Sequence, residues 1–272
     1  MSDFYAVIGR PIAHSKSPQI HLDFAKSAGQ EIRYEKIEGE SGRFAEQVDE
    51  FRTQGLRGLN ITAPFKLDAF AYATELSDAA RLAGAVNCLT FKSDGTVRGD
   101  NFDGVGLVRD ITHNLKVALE GKKILMLGAG GAARGALLPI LAEKPATFAI
   151  VNRTLAHAEA LRDAVDGQID VGNYGTLDRQ PYDVILNATS CSLTGALPPV
   201  SSDAFSAPVL VYELAYGKGL TPFLALAGQS GARAQADGVG MLVEQAAEAF
   251  ALWRGVRPET RKVIDALAVP LS

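Results

Sequence analysis

Cysteine, histidine and long apolar runs are all scarce in this sequence, and each shortage excludes a class of protein. The 272 residues include 2 isolated cysteines and 4 scattered histidines, so neither a disulfide scaffold nor a zinc site is expected. The most apolar stretch, residues 124–141, is interrupted by Arg134 and Pro139, whereas a membrane span needs about 20 mostly apolar residues. The first residues also lack the basic start of a signal peptide. We therefore expect a cytoplasmic protein with no membrane partner.

Charge of neither sign is in large excess. The chain has 27 basic and 31 acidic residues, a formal net charge of −4. Such a surface does not attract a phosphate backbone, so nucleic acid is not an expected partner. Hydrophobic residues make up 47% and charged residues 21%, the balance typical of a globular protein with a core. The length predicts about two domains.

Short apolar runs alternate with amphipathic segments along the chain, which predicts βαβ units and largely parallel sheets. The first hundred residues indicate strands over 4–8, 32–37 and 59–61, helices over 17–28 and 43–54, and a hairpin of 86–91 with 96–98. The second block indicates strands over 123–127, 147–151, 184–187 and 209–214, with helices up to 142 and over 156–165. Two more helices, over 240–253 and 258–267, are expected to pack back on the first block.

A glycine-rich turn follows the predicted strand 123–127. Gly128, Gly130 and Ala133 occupy the small-residue positions of the dinucleotide-binding turn, where the backbone approaches a pyrophosphate at a helix N-terminus. A structural turn, or a turn for another nucleotide as in methyltransferases, is the alternative. The residues predicted to contact the cofactor here are Gly128, Ala129, Gly130, Gly131 and Ala132.

The residues after the next predicted strand indicate which dinucleotide is bound. Asn152, Arg153 and Thr154 stand where an NAD site would place an acidic residue for the ribose diol. Arg153 can instead pair with a 2′-phosphate, so NADP is the expected cofactor. The alternative is a solvated arginine at a helix start. We predict an α/β protein with an N-terminal α/β substrate lobe, residues 1–101 plus 238–272, and a Rossmann-type NADP-binding lobe, residues 102–237. The active site is expected in the cleft between the lobes.

Three polar segments of the first block are candidates for the chemistry. They run over residues 14–18, 60–66 and 100–104, and in open α/β sheets such segments gather beyond the carboxyl ends of strands. Each also has an ordinary explanation. Ser17 is expected to cap a helix whatever else it does, Lys66 could be a solvated helix residue, and Asp103 could cap the following helix.

The motifs HSKSP, NITAPFK, GAVN, DNFDG, GAGGAARG, NRT, NATS and ADGVGMLVEQAAEAF occur in order and at fitting spacings. Over essentially its whole length the chain resembles the shikimate dehydrogenase family. The resemblance implies the NADP-dependent, reversible reduction of 3-dehydroshikimate to shikimate in aromatic amino-acid biosynthesis. It implies a small-molecule substrate, no metal, and a monomer or homodimer.

The resemblance also implies a role for individual residues. Lys66 would be the general acid/base and Asp103 its orienting partner. The implied substrate-binding residues are Ser15, Ser17, Asn60, Thr62, Lys66, Asn87, Asp103, Tyr216 and Gln245. Beyond the glycine turn, the implied cofactor-binding residues are Asn152, Arg153, Thr154, His157, Leu214, Gly238 and Met241.

The sequence departs from the family pattern at several positions near these residues. Phe102 stands where the family usually has threonine, so it either reshapes the pocket wall or turns away into the domain joint. His157 replaces a frequent arginine or lysine, Glu213 a frequent aspartate and Ser192 a frequent glycine. Phe102 and His157 keep open a relative that acts on quinate or another hydroxylated ring acid with relaxed NAD/NADP preference. An alternative of a different class is a non-catalytic dinucleotide-binding sensor.

Overall fold

A computed structural model describes residues 2–205 and 208–271, and the chain divides into two compact units. The first unit contains the chain up to Gly106 and Val243–Val263, and the second contains Leu107–Leu242 and the chain from Ile264. The boundaries between the units after Gly106 and after Leu242 lie a few residues beyond the predicted boundaries at 101 and 237. The segment from Ile264, predicted to lie with the first lobe, belongs to the second unit because Leu271 packs against that unit's core.

The first unit is built on a mixed sheet in the order β2-β1-β3-β5-β6-β4. Strand β1 pairs in parallel with β2 and β3, whereas β5 is antiparallel to β3 and β6. The predicted hairpin is therefore present and makes the sheet mixed. Its elements are β1 (Asp3–Gly9), α1 (Ser17–Ser27), β2 (Ile32–Glu38), α2 (Phe44–Thr53), β3 (Leu56–Ile61), α3 (Lys66–Tyr72), β4 (Glu75–Leu76), α4 (Asp78–Ala83), β5 (Cys88–Phe91) and β6 (Val97–Asp100). Helix α5 (Asp103–Arg109) crosses into the second unit.

The second unit is built on a parallel sheet in the order β12-β11-β10-β7-β8-β9. Its strands are β7 (Lys123–Leu127), β8 (Thr147–Val151), β9 (Asp170–Gly172), β10 (Val184–Asn187), β11 (Leu210–Glu213) and β12 (Gln235–Asp237). Its helices are α6 (Gly131–Ala142), α7 (Leu155–Asp163) and α8 (Pro222–Gln229). Helices α9 (Val239–Arg254) and α10 (Arg261–Leu267) each cross a unit division. Strands β7, β8 and β10 are almost wholly buried apolar runs, as expected for strands covered on both faces.

The sequence prediction missed helices α4 and α8, the three shortest strands and two boundaries. Strands β4, β9 and β12 have two or three residues and lie at sheet edges, so they carry no periodic pattern. Helix α10 begins at Arg261 rather than 258. Ser17 is not an N-cap as predicted, because it is the first residue of α1 and Lys16 occupies the cap position without a side-chain bond. The Ser17 hydroxyl therefore does not cap the N-terminus of α1.

Trp253 of α9 packs against the sheet of the first unit. Its ring stacks on Tyr5 of β1 with centroids 4.8 Å apart, and its Nε1 donates to Thr90 Oγ1 at 3.1 Å. The ring occupies the space that a side chain at residue 58 would need, so glycine is required there. The last turns of α9 are thereby tied to the sheet of the first unit.

His21 of α1 is a fully buried titratable group beside this packing. Its ring stacks on Tyr34 at 4.4 Å, and neither ring nitrogen has a hydrogen-bond partner among the described residues. Burial lowers the pKa of His21 to about 3, with the Asn60 side chain acting in the opposite direction. The imidazole is therefore neutral at physiological pH, because the cost of burying its charged form outweighs the effect of Asn60.

Acid should destabilise the protein through His21. Between the usual pKa of 6.5 and the folded value of about 3, only the unfolded chain binds the proton, so stability falls as pH decreases through this window. The contribution is about 1.4 kcal/mol per pH unit. His21→Phe keeps the ring contacts and removes the titration. Its free energy of unfolding, measured by denaturant titration, should fall less steeply than that of the wild type between about pH 6 and about pH 4.

The exposed His113 provides the matched control, since His113→Gln removes a histidine without touching a buried site. This variant should keep the wild-type slope. A wild-type slope in His21→Phe would contradict the prediction.

Candidate active site

An ion pair between Lys66 and Asp103 lies at the centre of the candidate site in the first unit. Lys66 Nζ is 2.6 Å from Asp103 Oδ2, and the side chains are 34% and 18% exposed. Lys66 begins α3 after β3, and Asp103 begins α5 after β6. Both β3 and β6 are antiparallel to β5 and so run in the same direction, which brings the segments after them to one edge. Of the three polar segments predicted to converge, 60–66 and 100–104 meet through this ion pair.

Two asparagines hold Asp103 in place. Asn87 Nδ2 donates to Asp103 Oδ1 at 2.8 Å, and Asn87 Oδ1 accepts from the Phe102 N–H at 3.0 Å. Asn101 Oδ1 accepts from the Asp103 N–H at 3.1 Å. Each carboxylate oxygen therefore has its own donor, Lys66 on one side and Asn87 on the other. A partly exposed ammonium fixed against a carboxylate is suited to exchange a proton with a bound molecule.

Two hydroxyls lie at the N-terminus of α1. The Ser17 N–H donates to Ser15 Oγ at 3.3 Å, and Ser15 Oγ donates to Ser17 Oγ at 3.3 Å. The loop before them is fastened to β2, since Glu38 accepts from the Ile12 N–H at 3.0 Å and Lys36 Nζ donates to the Ala13 carbonyl at 2.6 Å. Paired hydroxyls at a helix N-terminus suit an anionic group such as a carboxylate.

Asn60 and Thr62 follow at the end of β3. Asn60 is buried, and its Oδ1 accepts from the Tyr34 hydroxyl at 2.7 Å. Burial and the nearby Cys88 raise the pKa of Tyr34, whereas a hydrogen bond with Ser17 lowers it. Tyr34 thus contacts two predicted site residues, although sequence reasoning did not single it out. A tyrosine in a strand is ordinarily a packing residue, so only the tertiary contact shows this role.

The remaining two predicted substrate residues lie in different units. Gln245 is a half-buried residue of α9 in the first unit. Tyr216 lies in the second unit, in the loop after β11, and is 48% exposed. The predicted substrate contacts are therefore divided between the two units.

The glycine turn of the second unit has the geometry of an anion-binding loop. Gly128 has φ of +98°, and a Cβ there would lie 3.1 Å from Thr189 Cγ2, so glycine is required. A Cβ on Gly130 or Gly131 would meet nothing within 4 Å. Gly130 stands at the N-cap of α6 and makes no side-chain cap. This arrangement fits a pyrophosphate.

The turn after β8 is joined to the glycine turn. Asn152 Oδ1 accepts from the Ala129 N–H at 3.2 Å, and Asn152 Nδ2 donates to the Thr154 carbonyl at 2.8 Å. Arg153 is exposed and makes no ion pair with the described residues, and His157 is exposed in the first turn of α7. Residues 152–154 contain no carboxylate that would compete for the Arg153 guanidinium. The guanidinium therefore fits a 2′-phosphate.

The last predicted cofactor residues meet beyond β11 and β12. The Gly238 N–H donates to the Ala215 carbonyl at 3.1 Å, and a Cβ on Gly238 would collide with the Leu214 carbonyl. The Met241 N–H donates to Tyr212 Oη at 3.3 Å. Leu214, Gly238 and Met241 are thereby brought together at the carboxyl edge of this sheet.

The described residues contain no group of three or more His, Cys, Asp or Glu side chains arranged to hold a metal ion. Among the helices described, none is long and apolar enough to cross a bilayer.

The chain is similar to known proteins over its whole length. The profile of the shikimate dehydrogenase substrate binding domain matches residues 7–89, that of shikimate / quinate 5-dehydrogenase matches residues 110–194, and that of the shikimate 5′-dehydrogenase C-terminal domain matches residues 238–268. A protein of Chromobacterium violaceum named shikimate dehydrogenase (NADP(+)) is 53% identical, with 100% of both chains covered.

Solved structures show the same similarity. An Ael1 enzyme from Pseudomonas putida superposes with a TM-score of 0.98 at 54% identity, covering 100% of both chains. Shikimate 5-dehydrogenase from Thermus thermophilus, solved in complex with NADP(H) and shikimate, superposes with a TM-score of 0.85 at 30% identity, covering 98% of both chains. On full-length identity and on matches along both units, the chain belongs to the shikimate dehydrogenase family.

Proposed function

We propose that this chain is an NADP-dependent shikimate dehydrogenase that reversibly reduces 3-dehydroshikimate to shikimate in aromatic amino-acid biosynthesis. The observation that carries the proposal is the Lys66–Asp103 ion pair, 2.6 Å between Nζ and Oδ2, at the strand edge of a chain that belongs to this family. Reduction of a ketone needs a proton source at the carbonyl oxygen, and this pair supplies one.

The proton transfer follows from the charges of the pair. NADPH, when bound, supplies the hydride to the substrate C3 carbonyl. Lys66 Nζ donates a proton to the oxygen on which negative charge develops, and in the reverse direction it accepts that proton. Asp103 keeps the ammonium in place through Oδ2 while Asn87 restrains Oδ1. Lys66 is 34% exposed, so it can regain its proton from solvent.

The substrate contacts are proposed from the polar residues around this pair. Ser15 and Ser17, with Tyr216, would hold the carboxylate, because the serines present their hydroxyls at the N-terminus of α1. The ring hydroxyls would be bound by Asn60, Thr62, Asn87, Asp103 and Gln245.

The cofactor contacts are proposed from the strand ends of the second unit. The pyrophosphate would lie against the glycine turn, and the adenosine 2′-phosphate against Arg153. The proposed contacts are Gly128, Ala129, Gly130, Gly131, Ala132, Asn152, Arg153, Thr154, His157, Leu214, Gly238 and Met241.

A second candidate substrate is quinate or another hydroxylated ring acid. The observation that favours it is Phe102, which precedes Asp103 and has a half-buried apolar ring. The backbone N–H of Phe102 donates to Asn87 Oδ1. A ring at this position removes a hydroxyl from the neighbourhood of the acid/base pair. A dinucleotide sensor without catalysis is disfavoured, because a sensor does not need the Lys66–Asp103 pair.

The proposal includes a cytoplasmic location, a small-molecule substrate, no nucleic-acid partner and a monomeric or homodimeric state. Cys88 and Cys191 are both free, as in proteins of a reducing compartment.

An absorbance assay of reduced nicotinamide formation tests the proposal. Shikimate and quinate are each supplied with NADP⁺ and with NAD⁺. Fast turnover of shikimate with NADP⁺ is expected. A higher kcat/KM for quinate would favour the second candidate, and folded protein inactive on both acids would refute the proposal.

Lys66→Ala should lower kcat by about 10²–10⁴-fold, because the reacting oxygen loses the group that exchanges its proton. The measurement is kcat for shikimate oxidation with NADP⁺ at saturation. Lys92→Ala is the matched control, since Lys92 forms a comparable ion pair with Glu75 at 2.7 Å and 39% exposure. Near-normal turnover of Lys66→Ala would remove Lys66 from the mechanism.

Arg153→Ala should raise KM for NADP⁺ by about 10- to 100-fold and leave KM for NAD⁺ unchanged, because only NADP⁺ carries the 2′-phosphate. The two constants are measured at fixed shikimate. Arg162→Ala is the control, because Arg162 lies on helix α7, which follows Arg153 in the chain, and forms an ion pair with Asp163. Equal changes in both constants would show that Arg153 does not read the phosphate.

A further inference from the structure

Glu213, the last residue of β11, is a buried carboxylate without a cation. Its side chain is 0% exposed, and no basic side chain among the described residues forms an ion pair with it. Burial raises the pKa of Glu213, and the hydrogen bonds it accepts act in the opposite direction. A charge-bearing group in such a place is costly unless its hydrogen bonds are well met. The hydrogen-bond partners of Glu213 therefore determine its structural role.

Each hydrogen-bond partner of the Glu213 carboxyl group can act as a donor. These donors come from separate segments of the chain. Asn187 Nδ2 donates to Oε2 at 2.9 Å, and the Ser192 hydroxyl donates to the same oxygen. Thr221 Oγ1, at the start of α8, lies 3.5 Å from Oε2, and the Ala215 N–H donates to Oε1 at 3.4 Å. Glu213 thus joins the loop after β10, the loop after β11 and the N-cap of α8.

The acceptor character of Glu213 sets the direction of a longer chain of hydrogen bonds. Asn187 must turn its NH₂ toward the carboxylate, so its Oδ1 faces the other way. There Oδ1 accepts from the Thr189 N–H at 3.1 Å and from Thr189 Oγ1 at 2.7 Å. With its proton used in this way, Thr189 Oγ1 accepts from the Cys191 N–H at 3.3 Å. One carboxyl group therefore orients the whole turn 187–191.

This turn packs against the glycine turn. Thr189 Cγ2 and the Ala188 carbonyl lie 3.1 Å and 3.3 Å from the position of a Cβ on Gly128. On its other side, the Leu214 N–H donates to the Asn187 carbonyl at 3.0 Å, and the Leu214 carbonyl packs on Gly238. The chain of contacts from Glu213 thus ends on three proposed cofactor residues, Gly128, Leu214 and Gly238.

We propose that Glu213 is a positioning residue for the dinucleotide site, acting through Asn187 and Thr189 on the wall that faces the glycine turn. The inference rests on the proposed function, because it assumes that this turn receives NADP(H). Glu213 does not touch the cofactor. Its contribution is to fix the orientation of the Asn187 amide, and with it the distance between turn 187–191 and Gly128.

Glu213→Gln tests the inference with a side chain of the same shape. The amide has one acceptor oxygen, and its NH₂ opposes either the Asn187 NH₂ or the Ala215 N–H. If the NH₂ faces Asn187, Asn187 must rotate or lose its bond. If it faces Ala215, the Asn187 bond is kept but loses the charge of its acceptor. The dissociation constant of NADPH, measured by nicotinamide fluorescence, should rise by about 10-fold or more. KM for shikimate should change less than the NADPH dissociation constant, since of the proposed substrate residues only Tyr216 lies in a loop that Glu213 contacts.

Asp178→Asn is the matched control. Asp178 is also fully buried in the second unit, and its oxygens accept from the Gly175 and Ser201 N–H groups at 2.6 Å and 2.8 Å. Losing this carboxylate should lower Tm, and NADPH affinity should stay within about 2-fold of wild type. The comparison separates positioning of the cofactor site from a general loss of stability.

Thr189→Val covers the case in which Glu213→Gln does not fold. It removes only the hydroxyl at the far end of the chain of bonds and should weaken NADPH binding in the same direction. Wild-type affinity in either folded variant would overturn the inference, and so would equal weakening of NADPH and shikimate binding in Glu213→Gln. Because NADPH binding is measured without turnover, a wild type that binds NADPH yet does not oxidise shikimate refutes the proposed substrate alone. A wild type that does not bind NADPH overturns both.

Discussion

A shared strand direction is the constraint on which the functional geometry depends. Parallel strands end at the same edge, so the loops that follow them are collected there without any contact between the loops themselves. In the second unit the strand order reverses between β7 and β10, which are hydrogen-bonded neighbours. The loops after these two strands carry Gly128 and Thr189, and they meet at this point. The open space before α6 lies at a topological switch point, where ligands bind in such sheets.

Asparagine amides organise the loops at both edges. Asn87 holds Asp103 and the backbone at Phe102, Asn152 joins the glycine turn to the turn before α7, and Asn187 connects Glu213 with Thr189. A primary amide donates and accepts at the same time, so it can join a charged group to a backbone group with a defined orientation. Since their bonds come from neighbouring strands, these amides convert sheet register into the positions of functional side chains.

Two buried titratable groups show different ways of meeting the cost of burial. Burial lowers the pKa of His21, which has no hydrogen-bond partner among the described residues and is therefore neutral. Glu213 is surrounded by donors that favour the charged form and oppose the rise in its pKa. The first solution requires only aromatic neighbours such as Tyr34. The second requires donors from several loops, so it couples the positions of those loops to one another.

The sequence by itself determined the α/β class, the main strands and helices, the glycine turn and the pairing of Lys66 with Asp103. These features depend on local periodicity, on glycine geometry and on motifs whose order reports the family. Only the tertiary structure decided that Ser17 is not a helix cap, that Tyr34 supports Asn60, and that Glu213 orients the turn against Gly128. It also assigned the chain from Ile264 to the second unit. The physical reason is that strand order and register determine which residues distant in sequence form hydrogen bonds with each other. The local pattern of residues around one such residue does not identify its partner.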